Sequence, residues 1–200
     1  TGMRLTNEDE ILVDIDHQDD AWAMFAVFDG HGGDFTAGYL RRHFAARFRA
    51  ALRKQGGGLS AEDIQSAMES TAVAVNESLK SHPRMKPYLK MTKEAAEKSP
   101  SSKTAPSLES KFSAGKAITN ISKPIDVSGA VGVVAVVTMT HIVVANVGDA
   151  RCLLQKRGVH AEQAITLTVD HDGKNEAEKN RIIKAGGYIH PDTGCVHLKE

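Results

Sequence analysis

Residues 21–28, Ala-Trp-Ala-Met-Phe-Ala-Val-Phe, are apolar at successive positions and run into Asp29-Gly-His-Gly-Gly33, after which a helical pattern begins. An apolar run of this length, bounded by glycines, reads as a strand buried within a fold. The residues beyond it limit the architecture further. Leu40, Phe44, Phe48 and Leu52 recur every four residues with arginines between them, which predicts an amphipathic helix from about Asp34 to Lys54. Gly56-Gly-Gly58 ends it, Ser60 and Asp63 form a variant capping box, and Ile64, Met68, Ala72, Val75 and Leu79 give a second helix its core stripe. Val-rich runs come next at Gly129–Met139 and His141–Val147, parted at Thr140, with Arg151–Gln155 as a third strand reached through Gly148-Asp149. A last helix is predicted from Asn175 to Ala185, stopped by Gly186-Gly187. A strand, two helices and then hairpin-like strands is not the alternation of a doubly wound sheet. It predicts an α+β fold.

Charge is unevenly distributed although its sum is zero. Glu8, Asp9, Glu10, Asp14, Asp16, Asp19 and Asp20 succeed one another with no Lys or Arg between them. Residues 82–127 reverse the sign, with nine Lys or Arg against four acids and five of the six prolines. Proline at that density blocks long helices and central strands. The segment is expected to be a basic, Pro-rich, partly mobile insertion, the alternative being an ordered loop with a short helix near Lys90–Lys98. The balanced charge supplies no overall basic footprint for nucleic acid. The longest apolar run, Ala130–Val137, is too short to cross a bilayer. Two cysteines, Cys152 and Cys195, form no C-x-x-C pair, which argues against a disulfide scaffold or zinc ribbon and for a reducing compartment.

Three strand ends carry an acid beside a turn: Asp29, Asp149 in Asn146-Val-Gly-Asp-Ala-Arg151, and Asp170 before His171. Carboxylates are hard oxygen ligands, and three in one small domain point to a shared divalent-cation site, with the acidic N-terminal segment adding negative potential. His31, between glycines, is a proton-transfer candidate near neutral pH. Asp-Gly and Gly-Gly are also ordinary turn dipeptides, and Arg4-Leu-Thr-Asn-Glu8-Asp9 alone also reads as a solvated entry to a strand at Ile11–Ile15. Of the other histidines, His43 and His82 read as surface residues, and Cys152 and Trp22 as core.

Taken together, Arg4-x-x-x-Glu8-Asp9, Val27-Phe-Asp-Gly-His-Gly-Gly33, Ser128-Gly129, Ala145-Asn-Val-Gly-Asp-Ala-Arg151 and Asp170-His171 through Arg181-Ile to Ala185-Gly-Gly187 resemble the metal-dependent Ser/Thr protein phosphatases of type 2C, the PPM family. They stand in the family's order and cover nearly the whole chain apart from the basic insertion. The resemblance implies two antiparallel β-sheets packed face to face as a sandwich with helices outside, in α/β/β/α layers. It also implies two Mg²⁺ or Mn²⁺ ions at one end, with a third in some members. By the same resemblance Asp29 bridges both metals, Glu8 and the Gly30 carbonyl ligate the second, Asp9 holds metal-bound water, and Asp149 helps hold the third. Arg4 corresponds to the phosphate-binding arginine and His31 to the general acid for the leaving alkoxide.

The implied reaction is hydrolysis of phosphoserine or phosphothreonine by a hydroxide bridging the two ions. The implied protein is a cytoplasmic or nuclear monomer acting on phosphoproteins, with no nucleic-acid or membrane partner. Departures from the family pattern are Ala130-Val131-Gly132 after Ser128-Gly129, and Asp172-Gly173 after Asp170-His171. The family's later D-G strand end and D-N motif, which supply metal aspartates, do not occur before Glu200. Residues 1–200 are therefore expected to be one phosphatase domain that is incomplete at its C-terminus and inactive in isolation. A pseudophosphatase or regulatory binding module is the alternative, with a hydrolase of other phosphoesters as a third reading.

Overall fold

The structure, a computed structural model, describes residues 7–15, 22–88, 90, 126–158, 163–190 and 196–198. Arg4, Cys195 and most of the predicted insertion, including nearly all of the alternative helix at Lys90–Lys98, lie outside them. The described elements are β1 (Glu10–Ile15), β2 (Trp22–His31), α1 (Phe35–Lys54), α2 (Ala61–Ser81), β3 (Gly129–Thr138), β4 (Ile142–Val147), β5 (Leu153–Leu154), β6 (Ile165–Thr166), α3 (Glu176–Lys184), β7 (Gly187–Ile189) and β8 (Val196–Leu198). The first four strands form an antiparallel sheet in the order β1-β2-β3-β4, while β5-β6 and β7-β8 are two-stranded.

The residues of β2 alternate strictly. Trp22, Met24, Ala26, Phe28 and Gly30 are buried under the helices, while Phe25, Val27, Asp29 and His31 point to the opposite, open face. Among the described residues the apolar run is thus fully covered on one face and only partly on the other, where Phe25 and Val27 stay 45% and 40% exposed, whereas a strand buried on both was expected. The core lies between this sheet and α1, whose Phe44, Phe48 and Leu52 are buried as the fourfold spacing predicts. Phe48 is fully enclosed and meets Trp22 edge-on, with ring centroids 5.2 Å apart.

The predicted capping box starts α2. Ser60 Oγ accepts the Asp63 N–H, and the Asp63 carboxylate accepts the Ser60 N–H. The core stripe differs at one position, because Thr71 is buried where Ala72 was expected. The angular step of 100° favours 64, 68, 71, 75, and the Thr71 hydroxyl is satisfied by donating to the Ala67 carbonyl at 2.7 Å. The third predicted strand shrinks to Leu153–Leu154, paired with Ile165–Thr166. Leu153 faces Phe25, Val27 and Val133 across a trough of about 250 Å³ on the open face of the main sheet. The fold is α+β with antiparallel sheets, as expected.

Candidate metal centre

The strand was expected to stop at Asp29, but β2 continues through Asp29-Gly30-His31. The turn is made by Gly32 and Gly33, at φ 69° and 131°, a region that side chains disfavour. Alternation therefore puts Asp29 and His31 on one face and Gly30 on the other. A Cβ on Gly30 would collide with the backbone carbonyl oxygen of Glu8 and lie 3.2 Å from Ala37 Cβ. Glycine at 30 is what lets the start of β1 pass this close.

Pairing of Glu10 with Phe28 sets the register of β1 on β2, and one further step brings Asp9 opposite Asp29. The two carboxyl groups come close enough for one, when protonated, to bond the other. On the other side Asp29 pairs with Val131, and continuing β3 against β4 by one step brings Gly148 into the same row. Asp149 comes directly after it. Gly148, at φ 93°, turns the chain against the Val131 side chain, where a Cβ would not fit. Asn146 Nδ2 donates to the carbonyls of Gly148 and Val169, both at 3.1 Å, and the His171 N–H donates to Gly148 O at 2.9 Å. The turn bearing Asp149 is thereby tied to the segment after β6.

The electrostatics report this convergence. The Asp29 carboxyl is pushed above the usual carboxylate range, first by loss of hydration among the strand ends, then by the charges of Asp9 and Asp149 and the hydrogen bond with Asp9. His31 acts in the opposite direction. Carboxylates converging on Asp29 in this way are the donor chemistry that suits a hard divalent cation. Among the described residues, however, no three His, Cys, Asp or Glu side chains enclose a metal ion by themselves. The structure brings Asp9, Asp29 and Asp149 together, sets the Glu8 backbone against Gly30, and leaves Arg4 undescribed.

Two sequence readings need correction. Asp170 does not join the cluster, because its carboxylate takes a bidentate bond from Arg151, at 2.5–3.1 Å, that holds it below the ordinary carboxylate range. Within the acidic N-terminal segment, Glu10 and Asp14 face the α1 arginines Arg41 and Arg49, at 3.5 and 2.5 Å, so their charge is partly spent on the helix. His43 is exposed as expected, but its ring packs on Tyr39 at 4.3 Å, and His82 is half-buried at 4.8 Å from Phe35.

Sequence reasoning missed the support behind His31. Gly129 pairs with His31 across the sheet, and a Cβ there would stand 2.8 Å from His31 Cε1. Ser128, one residue earlier, is buried and bonded to Thr36 and Asp126. The Ser-Gly dipeptide was a visible signal for this; Thr36 and Asp126 gave none.

Fold and site together define an α+β protein with a carboxylate cluster at one end of an antiparallel sheet. A family model described as protein phosphatase 2C matches residues 1–197. The chain is 29% identical over 188 residues to probable protein phosphatase 2C 21 of Oryza sativa subsp. japonica, covering 94% of the chain and 49% of that protein. It is 27% identical over 198 residues to protein phosphatase 1B of Mus musculus, covering 94% and 40%. Among solved structures, the serine-threonine phosphatase 2C from Toxoplasma gondii superposes with a TM-score of 0.59 at 19% identity, over 96% of the chain and 55% of that structure. A C. elegans sex-determining protein superposes at 0.62 and 18%, over 98% and 39%. The chain belongs to the protein phosphatase 2C family. It spans about half, or less, of the length of these curated relatives.

Proposed function

We propose that residues 1–200 form part of the catalytic domain of a protein Ser/Thr phosphatase that depends on Mg²⁺ or Mn²⁺, with 82–127 as a basic insertion in that one domain. The observation that carries this reading is the strand register that sets Asp9 on one side of Asp29 and the turn bearing Asp149 on the other. In it, Asp29, Glu8, Asp9, Asp149 and the Gly30 carbonyl hold the cations, which when bound supply Lewis-acid activation of water. His31 stands two residues along the same face from Asp29 and donates the proton that the departing Ser or Thr oxygen requires. Arg4 neutralises the phosphoryl oxygens. Substrates are phosphoproteins, and the cytoplasm or nucleus is the setting. No helix among the described residues is long and apolar enough to cross a membrane.

The test is release of phosphate from a phosphothreonine peptide by the full-length protein, with Mn²⁺, with Mg²⁺ and with a chelator. Turnover that needs the cation and is lost in Asp29→Asn supports the proposal. A protein that turns over nothing with either ion, yet binds the phosphopeptide, is a binding module instead.

A further inference from the structure

Helix α1 begins directly after the turn beyond His31, and its first N–H groups have no intrahelical acceptors. Its N-cap, Asp34, makes no side-chain cap. The acceptor comes from 92 residues away. Ser128 Oγ takes the backbone N–H of Thr36 at 3.1 Å, while Thr36 Oγ1 donates to the Ser128 carbonyl at 2.9 Å and lies 2.8 Å from Ser128 Oγ. The Ser128 hydroxyl is itself aimed, donating to Asp126 Oδ1 at 2.6 Å, and the same oxygen accepts the Ser128 N–H at 3.1 Å. Asp126 is nearly buried and its other oxygen takes Arg84 Nη2 at 2.8 Å. Arg84 in turn lies over the Phe35 ring at 4.3 Å. The hydroxyls of Ser128 and Thr36 and both Asp126 oxygens thus have partners, so the arrangement is fixed.

This lock adjoins His31 and the turn that follows it. Val127, Ser128 and Gly129 run against His31, Gly32 and Gly33. Gly129 is the β-partner of His31, a Cβ on Gly32 would lie 3.3 Å from the Val127 carbonyl oxygen, and a Cβ on Gly33 would lie 3.3 Å from Ser128 Cβ. We propose that Ser128, aimed by Asp126, is a positioning residue for His31: it caps α1 from outside the helix and so clamps the β2–α1 turn that presents the imidazole. The proposal rests on the reading of His31 as the proton donor. Loss of the clamp leaves the strands paired but lets the turn drift, and misplacement on the ångström scale costs a proton transfer far more than it costs binding.

The experiment compares the full-length protein with Ser128→Ala and with Thr36→Ser, which retains every hydrogen bond of the lock. The substrates are a phosphothreonine peptide, whose leaving oxygen needs a proton, and para-nitrophenyl phosphate, whose leaving group does not. Ser128→Ala is expected to lower kcat on the peptide about ten- to a hundredfold, with KM held and aryl phosphate turnover within about twofold. Thr36→Ser should behave as the parent. Hydrogen exchange at the Thr36 amide should quicken in Ser128→Ala, with the amides of residues 44–52 unchanged. Equal losses on both substrates, or no loss on either, overturn the positioning role. If the parent protein hydrolyses neither substrate, the phosphatase reading fails and the His31 ring ¹³C signal decides instead. A shifted or broadened resonance in Ser128→Ala upholds the clamp, and an unchanged one overturns it. Should Ser128→Ala not fold, Asp126→Asn removes the charge that aims the hydroxyl and should give a smaller loss of the same selectivity, whereas an equal effect on both substrates refutes it.

Discussion

Gly30→Ala is the sharpest probe of how β1 and β2 build the site. A methyl at 30 points to the helix side, into the Glu8 carbonyl, with Ala37 Cβ and the Glu8 carbonyl carbon each 3.2 Å away. None of these is the end of a flexible side chain. Relief requires β1 to move outward at Glu8 or α1 to move at Ala37, which is fully buried. Overpacking of this kind costs about 1–3 kcal/mol, and a backbone obstacle places it in the upper half of that range. Reduced freedom of the unfolded chain returns about 0.4–1 kcal/mol. The net loss of about 1–2.6 kcal/mol corresponds to a melting point lower by about 2–10 °C for a chain of this size. Because the same shift carries Glu8 and Asp9 away from Asp29, Mn²⁺ binding should weaken along with stability. Thermal unfolding by circular dichroism and calorimetric titration with Mn²⁺ read the two effects separately. Parental values for both would refute the close approach and, with it, the argument that the β1–β2 register assembles the cluster.

The same geometry sets three further outcomes. His31→Ala should slow hydrolysis of a phosphothreonine peptide by about 10²–10⁴ while sparing para-nitrophenyl phosphate and Mn²⁺ affinity, which steady-state kinetics and titration measure. Phe48→Ala, at a fully enclosed position edge-on to Trp22, should cost about 3–5 kcal/mol in urea unfolding. Asp170 is held below its ordinary value by the Arg151 hydrogen bonds, so its folded pKa lies under its unfolded one. Its contribution is present in full above the ordinary carboxylate range and is lost as pH falls through the folded value, and Asp170→Asn should flatten the decline in stability between about pH 5 and pH 3.

What the sequence discloses here depends on range. The stripes of α1 and the capping box of α2 are local patterns, and the chain obeys them down to the Ser60–Asp63 exchange of hydrogen bonds. The extent of β2 was misjudged because Asp-Gly-His reads as a turn by composition, yet pairing with β3 holds it extended through His31. Asp149 could be proposed from its acid-in-a-turn context, but Asp170 had the same signature, and only the bidentate bond from Arg151 separates them. Of the Ser128 lock only the Ser-Gly dipeptide was legible, since no propensity scale connects an N-cap to a serine 92 residues later. The packing of His82 on Phe35 depends likewise on how the end of α2 meets α1, whereas the Tyr39–His43 contact is an i, i+4 pair within α1.

Strict alternation along β2 has one more consequence for the chemistry. The face that carries Asp29 and His31 at one end carries Phe25 and Val27 further along, flanked by Ile11 and Val13 of β1, and these apolar side chains are 40–65% exposed. Leu153 overhangs part of this face across the trough. Full burial of a Val, Ile or Phe side chain stabilises by about 1.5–3 kcal/mol, so any layer laid on this face gains most over its apolar middle. Such a layer would also exclude water from the sides of the acidic end without covering its tip. A cluster of like charges strengthens its hold on a cation as the local dielectric falls. On the proposed reading, packing of the open face and divalent-ion affinity at the Asp9–Asp29–Asp149 cluster would be coupled through one strand, with the period-two pleat of β2 as the link.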